Sequence, residues 1–404
     1  MTRRQHQLRL YGKPIGTLHH QNDVVRFTFD DGYWSDPDRS VLGLWFEDHP
    51  NESPQSALQL PAWFSNLLPE GRMREWIALD RGVPAQREME LLLRVGSDLP
   101  GAIELIEDGG ASEAESIDAS TAAARRQRTV DGPWKFSLAG VGMKFSMLQK
   151  GERLTIPASE SLGDWIVKLP DPIHAQVPKN EFLMMSLASK VGIEVPTIRL
   201  VERDELPDIP DQAWSGPETL AYAISRFDRS PNGRIHMEDL NQVRAFYPDQ
   251  KYEGAFETVA ALVYRQRDTD SLREFVRRLT FNALIGNGDA HLKNWSLIYP
   301  DRRTPRLSPA YDIVSTGAYA AGSGEETLAL KFRSSRRFQD MSLDGFHRLE
   351  QKLGATGAGL TDVVRETAAR FETAWAEHER TDELSDVATW IDDRLPDRLL
   401  KLNR

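Results

Sequence analysis

The sequence predicts an α+β protein built from two lobes and a smaller N-terminal unit. Segments with alternating, β-branched or aromatic residues, which are typical of strands, lie mainly in the first half of the chain. Segments with the apolar spacing of helices fill most of the second half. The two kinds of segment do not alternate regularly, which argues against a doubly wound parallel sheet. We therefore expect a small N-terminal α/β subdomain, a sheet-rich lobe and a mostly helical C-terminal lobe.

The composition is that of an ordinary globular protein. The chain has 404 residues, with 50 Lys and Arg against 61 Asp and Glu, and a formal net charge of −11. At about 100–200 residues per domain, this length corresponds to two or three domains. A sequence without Cys has no disulfides, thiolate nucleophiles or cysteine-ligated metals. No apolar run approaches the roughly 18–20 residues of a membrane span. We expect a cytoplasmic protein with no membrane partner, whose acidic charge disfavours non-specific nucleic-acid binding.

A segment of small polar residues marks the main domain boundary. Residues 109–132 contain no aromatic residue, which is typical of a linker or surface loop. Residues 1–108 are expected to form the N-terminal subdomain, with strands in LRLYGKPIGTL and VVRFTFDDGYW and helical periodicity in LPAWFSNLLPEGRMREWIALDRG. Residues 133–229 are expected to form the sheet lobe. Residues 230–404 are expected to form the helical lobe, which includes SLREFVRRLTFNALIG with a stop at its final Gly.

The strongest local signal is GNGDAHLKNWSLIY, followed shortly by LSPAYDIVST. Phosphoryl transfer needs a carboxylate that takes the proton of the acceptor hydroxyl, and an amide with a second carboxylate that hold Mg²⁺ against the phosphates. Asp289 and Asn294 are five residues apart, as in kinase catalytic loops, and Asp312 follows after a hairpin-sized gap. Lys293 is a candidate for neutralising charge on the transferred group. The sequence therefore predicts a phosphotransferase site here.

Each of these residues also has a simpler interpretation. A Gly- and Asn-rich turn of this kind is often only a turn, although the three residues together favour chemistry. His291 could ligate a metal, but a structural histidine that holds the loop is the favoured interpretation.

A phosphate-binding segment is predicted upstream. WKFSLAGVGMKFSML places Gly140 and Gly142 between two strand-like pieces, so their backbone N–H groups could face phosphates, or the segment is simply a glycine hairpin. Lys168 lies in the apolar strand WIVKLP and either meets nucleotide phosphates or points to solvent. Glu181 could pair with Lys168, but we favour a first-turn Glu stabilised by the helix dipole.

In this order the motifs resemble the HipA-type serine/threonine kinases, the toxins of bacterial type II toxin–antitoxin modules. The resemblance covers nearly the whole chain. The segments that carry it are NLLPEGRMREWI at 66–77, Ser137-Leu-Ala-Gly140, IVKLP, Asn180-Glu181, SRFDR at 225–229, HMEDLNQ at 236–242, KYEG at 251–254, GDAHLKN and PAYDIVST.

The resemblance implies a bilobal, protein-kinase-like fold with ATP and Mg²⁺ between the lobes. Asp289 would then be the catalytic residue, Asn294 and Asp312 the Mg²⁺ ligands, and Lys168 the lysine that contacts the ATP phosphates. Ser137 would be the site of inactivating autophosphorylation. The other residues assigned to nucleotide binding are Ser137 itself, Gly140, Val141, Gly142, Met143, Lys144, His291, and the main chain near Ser225 and Phe227 at the adenine.

The resemblance also implies partners. These are a helix-turn-helix (HipB-like) antitoxin, operator DNA bound mainly through that antitoxin, and a protein substrate, for which an aminoacyl-tRNA synthetase of the glutamyl type is the first candidate. One departure is the stretch Val141-Gly142-Met143-Lys144, where the family usually has Gln and often an acidic residue before Lys; it bears on loop rigidity and autophosphorylation rate. The alternatives are a catalytically weak corepressor of the antitoxin and a small-molecule kinase.

Overall fold

A computed structural model describes most of the chain. The described residues are 3–95, 98–107, 143–151, 153–157, 162–214, 216–320 and 327–403. The predicted linker at 109–132 and four residues of the predicted phosphate loop, Ser137, Gly140, Val141 and Gly142, lie outside the described residues.

The N-terminal subdomain is an antiparallel sheet covered by short helices. Its five strands have the order β4-β3-β2-β1-β5, and the alternating apolar residues of the strands, among them Leu8 and Phe27, are buried. The predicted helical stretch at 60–82 is interrupted, because Pro69 disfavours helical geometry in the residue before it. The elements are β1 Arg3–Leu10, β2 Lys13–Gln21, β3 Val24–Phe29, α1 Leu44–Asp48, β4 Gln55–Ala57, α2 Ala62–Ser65, α3 Gly71–Arg81, α4 Glu88–Val95 and β5 Ile103–Glu107.

The second unit is a five-stranded antiparallel sheet with one long helix. The strand order is β7-β6-β8-β10-β9, and Lys168 lies between Lys144 and Tyr222 in the register of the three central strands. The elements are β6 Lys144–Lys150, β7 Arg153–Thr155, β8 Trp165–Lys168, α5 Val177–Lys190, β9 Ile198–Glu202 and β10 Leu220–Ser225.

The remaining chain is mainly helical, as the sequence predicts. Helix α8, which begins after the N-cap Asp268, ends at Gly286 in left-handed geometry (φ +69°), where a side chain would collide with Trp390. No helix in the described part of the chain is long and apolar enough to cross a bilayer. The elements are β11 Arg229–Ser230, β12 Gly233–Arg234, β13 His236–Asp239, α6 Leu240–Val243, α7 Phe256–Tyr264, α8 Thr269–Ile285, β14 Ser296–Tyr299, β15 Arg306–Leu307, β16 Thr327–Phe332, β17 Ser335–Arg337, α9 Leu343–Leu353, α10 Leu360–Ala376, α11 Ser385–Asp392 and α12 Leu395–Asn403.

One apolar core joins the N-terminal subdomain to the second sheet. Phe145 and Val167 of that sheet are buried in the same cluster as Leu68 and Leu92 of the subdomain. The ring of Trp76 meets Phe145 edge to face, with 5.6 Å between centroids. Burial of apolar area on this scale dominates association between structural units. The N-terminal subdomain is therefore packed against the second sheet and is not merely tethered to it.

The subdomain also contacts the helical lobe through strand β13. The Nε2 atom of His236 lies 2.7 Å from the carbonyl oxygen of Leu42, and the backbone N–H of Ala102 approaches Nδ1 at 3.4 Å. Glu238 accepts hydrogen bonds from the backbone N–H of Leu44 and from the Trp63 indole. A neutral His236 ring, with its proton on Nε2, satisfies both of its contacts.

The buried His236 makes stability sensitive to acid. Burial lowers the pKa of His236 to about 4, whereas an unfolded His titrates near 6.5. The contribution of the neutral His236 to the free energy of unfolding is therefore fully present above pH 6.5, and it is lost as the pH falls through 4. We expect the free energy of unfolding, measured in urea at each pH, to fall less over this interval in His236→Gln than in wild type. The exposed His347→Gln should follow wild type; equal slopes in all three proteins would contradict the assignment.

Candidate active site

The segment that contains Asp289 is held in place by side chains that hydrogen-bond to its backbone. We call residues 286–294 the Asp289 loop. After Gly286 ends helix α8, the backbone N–H of Gly288 donates to Thr316 Oγ1 at 2.8 Å. A short 3₁₀ turn closes the loop, and the Asn294 amide donates to the carbonyl oxygen of Asp289 at 2.8 Å. The predicted five-residue spacing thus corresponds to a direct contact between Asp289 and Asn294.

The Asp289 carboxylate faces outward beside Tyr252. Its side chain is 51% exposed, and its Oδ1 accepts a hydrogen bond from the Tyr252 hydroxyl at 2.5 Å. His291 is buried, lies 3.9 Å from Asp289 and packs edge to face on the Tyr252 ring. Burial lowers the pKa of His291, and the described residues contain no group of three His, Cys, Asp or Glu side chains that could hold a metal. The interpretation of His291 as a structural residue is the one that this geometry favours.

Lys168 contacts Glu181 of the next helix and Asp312, which is 144 residues away in the chain. Its ammonium lies 2.6 Å from Glu181 Oε1, on helix α5, and 2.5 Å from Asp312 Oδ1. Burial would raise the pKa of Asp312, but the charges of Lys168 and Lys144 hold it well below the usual value. Asp312 also has left-handed backbone geometry (φ +58°), which is uncommon for a residue with a side chain.

The favoured interpretation of Glu181 as a first-turn residue was wrong. Helix α5 begins at Val177, four residues before Glu181. Glu181 therefore lies outside the first turn, where the helix dipole would stabilise a carboxylate. The Glu181 side chain is 2% exposed and pairs with Lys168. Lys168 in turn points into the protein, with 21% of its side chain exposed. Tertiary packing therefore decides the environment of both residues.

Lys293 makes a contact that the sequence did not indicate. Its ammonium, 3% exposed, lies 2.8 Å from Glu70 Oε1 and donates to the carbonyl oxygen of Asn66 at 3.2 Å. Lys251 contacts the other oxygen of Glu70 at 2.9 Å. Glu70 and Asn66 belong to the N-terminal subdomain, more than 200 residues before Lys293 in the sequence. The motif NLLPEGR is part of the resemblance to the family, but no local pattern in it indicates that Glu70 pairs with Lys293 and Lys251.

Ser225 and Phe227, which are predicted to lie at the adenine, belong to a segment at the end of strand β10 that we call the hinge (residues 225–229), and buried charges lie beside them. The Ser225 backbone N–H donates to Thr197 O at 2.8 Å, and the Phe227 ring packs against Tyr311. We call the four buried side chains Asp98, Arg226, Asp228 and Arg229 the hinge clamp. Arg226 and Arg229 each bridge both carboxylates, with nitrogen–oxygen distances of 2.8–3.0 Å.

The described end of the predicted phosphate loop lies next to Lys168. Met143 accepts a hydrogen bond from the backbone N–H of Leu169 at 3.0 Å, and Lys144 is the register partner of Lys168. Burial lowers the pKa of Lys144 to about 8. The structure thus places Lys144 and Lys168 side by side, at the adjoining ends of strands β6 and β8.

The oxygen donors of the site suit a magnesium nucleotide. Mg²⁺ prefers carboxylate and amide oxygens and usually takes its remaining ligands from phosphates and water. Asp312 and Asn294 supply one carboxylate and one amide, and lysines suited to phosphate oxygens lie beside Asp312. A protein-only cage is not needed for a cation that arrives with a nucleotide.

Comparison with known families identifies the class of protein that this fold and site define. Residues 136–375 match the family model of the HipA-like C-terminal domain, and residues 7–106 match that of the HipA N-terminal domain. The chain belongs to the HipA family, as its motifs predict.

Individual relatives agree with this assignment. The chain is 41% identical to "Putative kinase Y4dM" of Sinorhizobium fredii over 96% of both chains. It is 26% identical to the serine/threonine-protein kinase toxin HipA of Shewanella oneidensis, over 67% of this chain and 66% of the relative. In fold, it matches a chain of the solved Shewanella oneidensis complex of HipA, HipB and operator DNA with a TM-score of 0.71, at 21% identity over 99% and 97% of the two chains. The predicted α+β, kinase-like HipA fold is confirmed.

The Lys168 contacts lead to a stability prediction. Lys168→Met leaves the buried Glu181 without its cation, so we expect the free energy of unfolding to fall by about 3 kcal/mol. Adding Glu181→Gln should restore more than half of that loss, because the buried carboxylate is then removed. Urea unfolding measures both effects, and Lys352→Met, at an exposed lysine, serves as the control. A double variant no more stable than Lys168→Met would contradict a direct pairing.

Proposed function

We propose that this protein is an ATP- and Mg²⁺-dependent serine/threonine protein kinase that acts as a HipA-type toxin. The observation that carries the proposal is the contact of Lys168 with both Glu181 and Asp312. A strand lysine, a helix glutamate and a metal-binding aspartate in mutual contact are what ATP-dependent kinases use to hold the nucleotide phosphates. Relatives whose names describe kinases support the assignment.

Each residue of the site has a specific role in this proposal. Asp289 takes the proton of the acceptor hydroxyl, and Lys168 contacts the phosphates. Asn294 and Asp312 hold Mg²⁺, which supplies charge neutralisation to the phosphate oxygens when it is bound. Main-chain groups near Ser225 and Phe227 contact the adenine. His291 packs behind Asp289, where its neutral ring supports Tyr252.

A protein acceptor fits the exposure of the site better than a metabolite does. The Asp289 side chain is half exposed and the neighbouring Tyr252 is 39% exposed, whereas sites for small molecules bury most of their ligand. We propose an aminoacyl-tRNA synthetase, first the glutamyl enzyme, as the protein substrate. The solved complex of a relative with HipB and operator DNA supports a HipB-like antitoxin as partner, and we propose that this antitoxin is a helix-turn-helix protein through which most of the DNA is bound.

We further propose that Ser137 is autophosphorylated and that this inactivates the enzyme. A phosphoserine adds roughly −1.5 to −2 charge, which would repel the phosphates of ATP from a loop that binds anions. A catalytically weak corepressor is the second candidate function, because the same HipB-containing complex would also accommodate it. The presence of Asp289, Asn294, Asp312 and Lys168 favours an active enzyme.

The defining test is the intact mass of the purified protein before and after incubation with ATP and Mg²⁺. Wild type should carry or gain one phosphate, and Asp289→Asn and Ser137→Ala should not. Asp249→Asn, at an exposed aspartate, is the matched control and should behave as wild type. If no form carries phosphate, the Ser137 assignment is wrong. If wild type also fails to bind ATP, the corepressor function stands instead.

We expect Tyr252 to slow ATP hydrolysis in the absence of a protein substrate. Its hydroxyl is hydrogen-bonded to the Asp289 oxygen that an acceptor hydroxyl would use. A hydrogen bond to a charged group contributes about 1.5–3 kcal/mol, so Tyr252→Phe should raise the rate of ATP hydrolysis about tenfold. Tyr247→Phe, which loses a hydroxyl bonded to Ser56 instead, should have no effect. A slower Tyr252→Phe enzyme would mean that the hydroxyl orients the carboxylate instead.

A further inference from the structure

We propose that Glu70, which the N-terminal subdomain contributes, is a positioning residue of the active site that holds Lys293 and the Asp289 loop in the geometry needed for phosphoryl transfer. The inference rests on the proposed kinase function and adds a residue from outside the two lobes. Glu70 lies in the interruption between helices α2 and α3, directly after Pro69. The interruption turns this carboxylate away from the subdomain core and toward the helical lobe.

Glu70 has two cationic partners, one within the Asp289 loop and one outside it. Its two oxygens contact Lys293 at 2.8 Å and Lys251 at 2.9 Å. These lysines are 3% and 8% exposed, and Glu70 is 14% exposed. The backbone N–H of Leu292 also donates to the carbonyl oxygen of Lys251 at 3.0 Å. One carboxylate therefore ties the Asp289 loop to the chain segment that contains Lys251.

The charges of this arrangement balance only when Glu70 is ionised. Asp239, which is also buried, lies within electrostatic range of Lys293. With both acids ionised, two carboxylates match two lysines. Burial alone would raise the pKa of Glu70, but the charges of Lys293 and Lys251 lower it to about 2. Without Glu70, two buried ammonium groups share one carboxylate, and burying an unpaired charge is costly.

Each lysine connects Glu70 to Asp289 through few intervening residues. Lys293 is four residues from Asp289 within a loop closed by the Asn294 amide. Lys251 precedes Tyr252, whose hydroxyl donates to Asp289. A shift of about 1 Å in a catalytic group costs on the order of 100-fold in rate. Release of the lysines should therefore displace Asp289 and Asn294 without unfolding the protein.

The competing interpretation is that Glu70 only anchors the subdomain to the helical lobe. The chain offers a matched control in Glu88, a buried glutamate that accepts hydrogen bonds from Leu60 and Ser65 and pairs with Arg74, all within the subdomain. Glu70→Gln and Glu88→Gln each remove one buried carboxylate charge and preserve side-chain shape. Their comparison separates local positioning from general stability.

The experiment measures three properties of full-length wild type, Glu70→Gln and Glu88→Gln. The first is steady-state ATP hydrolysis, where Glu70→Gln should lower kcat about 10–100-fold. The KM for ATP should remain nearly unchanged, because Lys168 and the hinge are held by other residues. The second is hydrogen exchange of residues 287–294, which should accelerate in Glu70→Gln alone. The third is acetylation of Lys293 by acetic anhydride, read by mass spectrometry, which should also rise in Glu70→Gln alone.

The outcomes distinguish this inference from the proposed function. Equal exchange and acetylation in Glu70→Gln and wild type overturn the positioning role, whatever the activity. Equal changes in Glu70→Gln and Glu88→Gln reduce Glu70 to a stability residue and also overturn it. If wild type hydrolyses no ATP, the kinase function fails, and faster exchange and acetylation confined to Glu70→Gln still support Glu70 as the residue that holds the loop.

Discussion

The burial of Asp98 is the constraint on which the arrangement of the proposed nucleotide cleft depends. This one carboxylate contacts Arg226 and Arg229 of the hinge and accepts a hydrogen bond from the Ser146 hydroxyl on strand β6. Asp98 belongs to the N-terminal subdomain, so three separate parts of the chain meet at one buried charge. Removal of either arginine would leave Asp98 and Asp228 with a single cation between them in a low-dielectric interior. The hinge is therefore specified by geometry that few alternative packings could satisfy.

The same principle acts at the other end of the cleft. Glu70 reaches from the subdomain to Lys293 of the Asp289 loop and to Lys251, just as Asp98 reaches the hinge. The shared apolar core between the subdomain and the second sheet keeps both carboxylates at fixed positions. The N-terminal subdomain is thus part of the framework of the site.

Within the cleft, Lys168 is held between two carboxylates of different character. Glu181 is fully buried, whereas the Asp312 side chain is 38% exposed and has left-handed backbone geometry. Strained backbone of this kind is concentrated at functional sites, where the surrounding structure enforces it. Asp312 is therefore the partner that can turn to another cation, while Glu181 keeps Lys168 in place. In the proposed kinase, these two carboxylates keep Lys168 paired when no nucleotide is bound.

The sequence by itself determined the features that depend on local geometry. The end of helix α8 at Gly286, the strands with alternating apolar residues and the Asp289–Asn294 spacing are all encoded within a few residues, so propensity and periodicity predict them. The ordered motifs also predicted the HipA family. Tertiary structure chose between the two interpretations of Glu181, and it alone decided the partners of Glu70 and Asp98. These buried ion pairs join residues far apart in the chain, and no local pattern records which distant charge will compensate a buried one.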